Sequence, residues 1–95
     1  MNLTDEQRLW IEADISPFLD EQGRITGWPS KPARKFAVTY HLGHVFKEDH
    51  RYTEREINEI IQVNHTFNDY FLLRRELVEW GVLCRTRDGS AYWKE

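Results

Sequence analysis

Apolar residues along this chain recur at helical spacing in short stretches, separated by polar breaks that carry helix start and stop signals. Thr4, followed three residues later by Gln7, forms a capping box. Leu9, Trp10, Ile11 and Ala13 then predict a short amphipathic helix to about residue 14, stopped at Ser16-Pro17. Residues 18–29, with Gly23, Gly27 and Pro29, read as a turn-rich connector holding a short extended stretch at residues 24–26. Ser30 as N-cap and Pro32 in the first turn predict a second helix over residues 30–46. At about 100° per residue, its apolar side chains cover almost the whole circumference, broken only by Arg34, Lys35, His41 and His44. A helix apolar nearly all round is enclosed by protein, so this is the expected centre of the fold.

Thr53 and Glu56 repeat the capping box, and Tyr52 with Ile57 stands at staple spacing around it. Ile57, Ile60 and Ile61 form one stripe. After the polar break of residues 64–68, Tyr70, Leu73, Leu77 and Trp80 repeat at helical spacing until Gly81, a C-cap residue. Two strands then flank Arg87-Asp88-Gly89-Ser90, a strong hairpin signal. With Asp88-Gly89 as a two-residue turn, Arg85 pairs with Tyr92 and Arg87 with Ser90. Strand alternation then predicts Val82, Cys84, Ala91 and Trp93 inward and Arg85, Arg87, Tyr92 and Lys94 outward. The expected fold is α+β: a winged helix-turn-helix of three helices plus a C-terminal β-hairpin wing, with an extra N-terminal helix and a short third strand at residues 50–52. Residues 1–17 form an acidic N-terminal helical arm and residues 18–95 the winged-helix domain.

Ninety-five residues rule out a multidomain enzyme, and 40% apolar with 14% aromatic content supplies a core and argues against wholesale disorder. A lone Cys84 excludes an intramolecular disulfide or a cysteine-cage zinc site, and cytoplasmic location is the expectation. No stretch is apolar enough for a membrane span, and Asp5 and Glu6 stand where a secretory signal needs positive charge. The net charge of −3 is uneven. Residues 1–22 hold one base against six acids, a net of −5, and residues 23–95 hold twelve bases against ten acids, a net of +2. Any contact with nucleic acid must therefore come from local placement rather than overall charge.

Three stretches carry a resemblance: Tyr52-Thr53-Glu54-Arg55-Glu56-Ile57-Asn58, then Leu73-Arg74-Arg75-Glu76-Leu77-Val78-Glu79-Trp80-Gly81, then Gly89-Ser90-Ala91-Tyr92-Trp93-Lys94. In this order they resemble the uncharacterised bacterial family numbered 2087 among the domains of unknown function, whose opening is similar to Gly23-Arg24-Ile25 and Trp28-Pro29-Ser30-Lys31. Members stand alone or are fused to helix-turn-helix regulators, so the resemblance implies transcription-related work. The acidic arm is a departure from the family pattern.

In a winged helix the helix before the wing enters the major groove. Here Tyr70, Leu73, Leu77, Val78 and Trp80 set the expected inward arc, leaving Asn68, Asp69, Leu72, Arg75, Glu76 and Glu79 outward. The expected contacts to duplex DNA are Asn68 and Arg75 on that helix, Arg85, Arg87, Tyr92 and Lys94 on the wing, and Lys31, Arg34 and Lys35 at the start of the central helix. Set against this is a protein-interaction module on the same fold that leaves nucleic acid alone and exposes Phe71 and Leu72 to a partner. Arg74 falls inside the apolar arc, where a guanidinium needs a partner, and Glu54 is the candidate for a structural ion pair. A homodimer is expected because one recognition helix buries little surface, with the arm as a candidate contact.

His41, His44, His50 and His65 lack the pattern of a metal site, and Cys84 reads as a small core residue, with a redox-sensing thiol as the alternative. No nucleophile with a base, phosphate loop or paired carboxylates can be picked out, so neither catalysis nor a cofactor is expected.

Overall fold

The computed structural model describes residues 1–94, leaving Glu95, the end of the expected second domain, outside it. The described residues form an α+β fold of four α-helices and an antiparallel hairpin. In order they are α1 (Asp5–Trp10), a 3-10 turn (Ser16–Phe18), α2 (Pro32–Gly43), α3 (Glu54–Gln62), α4 (Tyr70–Glu79), β1 (Leu83–Arg85) and β2 (Tyr92–Lys94).

Both capping boxes are made in full. The Thr4 hydroxyl accepts from the Gln7 N–H, the Thr53 hydroxyl accepts from the Glu56 N–H, and each third residue returns a bond to the cap's own N–H. Helix α1 stops at Trp10, short of residue 14, because Glu12 and Ala13 turn back with bonds to carbonyls three residues earlier. The N-cap of α2 is Lys31, not Ser30, and it offers no side-chain bond; Pro32 supplies the first turn with a φ already set for a helix. At its far end α2 closes at Gly43 rather than residue 46, since His44, Val45 and Phe46 tighten into bonds three residues back. Gly43 has a packing reason: a Cβ there would lie 2.4 Å from Cγ1 of Val82, so α2 and the chain entering β1 approach as only glycine permits. Gly81 ends α4 with a φ of 77°, as a helix C-terminal glycine should.

The core draws on α2, α3, α4, the hairpin and the segment before α2. Phe36, Val38 and Leu42 of α2, Ile57 and Ile61 of α3, Leu73 and Leu77 of α4, and Leu83 and Tyr92 of the hairpin are all buried. Ile25, from the supposed connector, is fully buried as well. Its N–H donates to the Asn64 carbonyl and its carbonyl accepts from the Thr66 N–H, both at 2.9 Å, so the extended stretch at residues 24–26 is pinned between the α3–α4 turn and Leu19. The N-terminal segment is not a free-standing arm either. Trp10 packs 6.2 Å from the Phe36 ring and edge-on to Trp80 at 6.1 Å, joining an aromatic cluster with Tyr40.

The hairpin register is the expected one, Arg85 opposite Tyr92, but its faces are reversed. Tyr92 and Leu83 are buried, while Cys84 and Trp93 are only partly covered. Two things decide the reversal. Leu83 is as apolar as Val82, and both enter the core at the start of β1. On its other edge Tyr92 exchanges both backbone bonds with Tyr52, at 2.8 Å each, which draws the last strand against the chain before α3. The pair Arg87 to Ser90 is absent. Residues 87–90 instead form a four-residue loop closed by the Thr86 N–H on the Ala91 carbonyl, with the Gly89 N–H on the Thr86 carbonyl.

Candidate nucleic-acid interface

The side chains expected to meet DNA separate into three places. Arg75 and Arg85, with Arg74, line an open cleft of about 330 Å³ between α4 and the hairpin, together with Phe71, Val78, Glu79 and Tyr92. Lys31 stands at the N-cap of α2, and Arg34 and Lys35 lie on its first turn. Lys35 there borders a second groove with Glu76, Glu79 and Trp80, so carboxylates of α4 stand between this cluster and the cleft. Arg34 lies 6.0 Å over the Phe18 ring. Lys94, at the opposite end of β2 from the loop, borders grooves with Met1, Leu3, His44 and Glu48 on one side and Asp49, Arg51 and Trp93 on the other. It is not gathered with Arg85 and Arg87, because it pairs with Leu83 at the far end of the strand while Arg85 pairs with Tyr92.

Tyr92 is withdrawn from the interface. Its ring is fully buried and its hydroxyl donates to Glu54 Oε1 at 2.8 Å, with burial and then this acceptor pushing the phenol pKa above its ordinary value. Arg74 stands 3.9 Å from the same Glu54 oxygen and donates to Asn58 Oδ1, with its side chain only 14% exposed. Glu54, Asn58, Arg74 and Tyr92 thus form a polar knot that ties α3, α4 and β2 together beneath the cleft. The sequence pattern placed Arg74 and Glu54 together. It could not place Tyr92 with them, since that contact joins residues 38 positions apart.

Arg75, one position on, is 55% exposed in its side chain and lies 3.9 Å from Glu79, four residues along. Both guanidinium groups flank the exposed Phe71 ring, Arg74 at 5.2 Å and Arg75 at 5.9 Å. On the hairpin, Arg85 folds back on the loop: Nε donates to the Thr86 carbonyl and Nη2 to the Arg87 carbonyl. Asp88 stabilises that loop, since Ser90, through side chain and amide, and the Thr86 hydroxyl hold its carboxyl down to about 2. Arg87 is exposed at the tip.

The face of α4 differs from expectation at both ends. Leu72 packs against the core, whereas Tyr70 is 39% exposed and Phe71 56%. Asn68 lies before the helix in a left-handed conformation, φ 54°, and accepts from Gln62. The start of α4 is set by residues that sequence reasoning passed over. The Asp69 carboxylate accepts from the Leu72 N–H, and the buried His65 ring spans the turn. Its Nε2 accepts from the Asp69 N–H at 2.8 Å, which leaves Nδ1–H to donate to the Ile61 carbonyl at 2.7 Å. A His following a helix whose stripe ends four residues earlier is the only local signal of this role. Among the described residues no three His, Cys, Asp or Glu side chains are grouped to hold a metal ion, and no helix is long and apolar enough to cross a membrane.

Residues 24–94 match the model of a protein family described as "Uncharacterized protein conserved in bacteria (DUF2087)", so α2 to β2 fall within the match and α1 lies outside it. No curated protein and no solved structure matches the chain.

Proposed function

The chain belongs to this bacterial family, and on that premise we propose that it is a winged-helix protein that binds duplex DNA in the control of transcription. The reading rests on one observation: α4, the helix directly before the hairpin, shares with that hairpin an open cleft lined by Arg74, Arg75 and Arg85. The element order supports it, with Tyr52 adding a third strand position beside β2 as the segment before the second helix of a winged helix would. In this reading α4 enters the major groove with Arg75 toward the bases, while Arg85 and Arg87 meet phosphates from the wing. Two copies act on one site, because a single module buries too little surface for a specific complex.

A second reading, a protein-docking module, is favoured by the exposed Tyr70 and Phe71 at the start of α4. Fluorescence anisotropy with duplexes at several salt concentrations separates the two. DNA binding predicts an affinity that falls steeply with salt, and a shallower salt slope in the Arg85→Ala/Arg87→Ala double variant, because fewer phosphate contacts release fewer counterions. Binding that is absent at low salt, or unchanged in the double variant, rejects the DNA reading.

A further inference from the structure

We propose that the cleft between α4 and the hairpin is a site for a small organic monoanion, a carboxylate on an apolar or aromatic body. The cleft's volume of about 330 Å³ is at the small end of the roughly 300–1,000 Å³ found for ligand pockets. Its charges do not balance. Arg74 has Glu54 as its counter-ion and Arg75 has Glu79. Among the described residues Arg85 meets no carboxylate in ion-pair range; its guanidinium reaches only the Thr86 and Arg87 carbonyls. One positive charge is left over at the mouth of the cleft, and a single carboxylate neutralises it with two parallel N–H bonds, the geometry a guanidinium favours.

The rest of the lining suits the remainder of such a ligand. Phe71 and Val78 offer apolar surface on α4, and the Phe71 ring, flanked by two guanidinium groups, can stack a flat body. The ligand's direction follows from the ends of the cleft. Glu79 lies where α4 runs toward β1 and repels a carboxylate there. Arg85 lies at the loop end: a Cβ on Gly89 would stand 3.9 Å from both its Nη2 and the Tyr92 hydroxyl, and 3.4 Å from Glu54 Oε1, a carboxylate already engaged by Arg74 and the Tyr92 hydroxyl. The carboxylate therefore points to Arg85 and the body toward Val78. This proposal does not require DNA binding; where both hold, ligand and phosphate compete for Arg85.

The test is an NMR titration of the whole chain, following backbone amides and arginine Nε–H signals, with phenylacetate, its neutral amide phenylacetamide, and inorganic phosphate. The expected result is saturable shifts at Phe71, Arg75 and Arg85 with phenylacetate, at a Kd of about 0.1–10 mM for so small a probe. Phenylacetamide and phosphate should bind at least tenfold more weakly. Arg85→Gln should weaken phenylacetate roughly tenfold or more, as for one lost charge-assisted bond, and Phe71→Ala should weaken it with Arg85 intact. Both side chains belong to exposed residues, and the unchanged amide spectrum elsewhere checks that each variant is folded. No saturation, equal binding of the amide, or phosphate binding as tightly as phenylacetate overturns the proposal; the last would make Arg85 a phosphate contact only. The duplex titration above is scored separately, so either proposal can fail alone.

Discussion

Helices α1 and α3 start in the same way, each with a threonine hydroxyl on the third backbone N–H and a glutamine or glutamate side chain returned to the cap, yet they are held in the molecule differently. Helix α3 buries Ile57 and Ile61 completely and carries Glu54 and Asn58 into the knot with Arg74 and Tyr92. Helix α1 buries no residue fully, leaves Leu9 74% exposed, and packs its Trp10 ring against Phe36 and Trp80. A cap records where a helix begins, because it satisfies local N–H groups. How much the fold depends on that helix is set by what its face meets later in the chain.

The comparison breaks most visibly at the core. Ile61→Ala should destabilise by about 2–5 kcal/mol, and Trp10→Ala by about 1–3 kcal/mol, because a half-covered ring loses less than a buried one. Urea unfolding of the two variants checks the order, and a larger loss for Trp10 would make α1 the stronger prop. Next come the neighbours on α4. Arg74→Ala leaves Glu54 and Asn58 short of a charged donor and should cost about 1.5–3 kcal/mol, whereas Arg75→Ala, on the exposed side, should stay within about 0.5 kcal/mol of the parent. Thermal melts compare them directly.

The caps themselves should differ less. Thr53→Ala is expected to cost about 1 kcal/mol and Thr4→Ala less than half of that, since fraying α1 exposes little. Hydrogen exchange at the Glu56 and Gln7 amides would show each loss where it occurs. The smallest effect is on the hairpin loop. Asp88, held down to about 2, is depressed relative to an unfolded aspartate, so its stabilisation is complete above the ordinary aspartate range and fades as pH falls through about 2. The Ser90 amide signal should therefore keep its position to about pH 4 and move below that, and Asp88→Asn should abolish the titration.

Much of this architecture could be read from local chemistry. The Thr53 box, the Gly81 stop and the pairing of Arg85 with Tyr92 all follow from signals within a few residues of the elements they define, and each is found as expected, although the Asp88-Gly89 turn itself widens to four residues. Arg74 was readable as an inward charge because helical spacing alone places it between Tyr70 and Val78. The hairpin faces were not readable. Val82 and Leu83 are both apolar and Tyr92 and Trp93 both aromatic, so the predicted faces rested on the cations alone, and the bonds to Tyr52 favour the opposite face. Ile25 was lost among turn residues for a related reason: its partners, Asn64 and Thr66, lie about 40 positions away. The candidate interface suffered the same limit, since a list of outward cations could not show that Lys94 and the α2 cluster are separated from the cleft.

The pinning of Ile25 also sets an order of events as the chain folds. Its backbone partners are made some forty residues after it, so the segment before α2 cannot settle until the turn between α3 and α4 exists. Closing so long a loop is slow relative to forming a helix. During synthesis, α2 therefore emerges and coils with one flank uncovered, and the segment made before it locks only after α3 and α4 have followed. Pulsed hydrogen exchange should find the Ile25 and Thr66 amides gaining protection together, after the amides of α3.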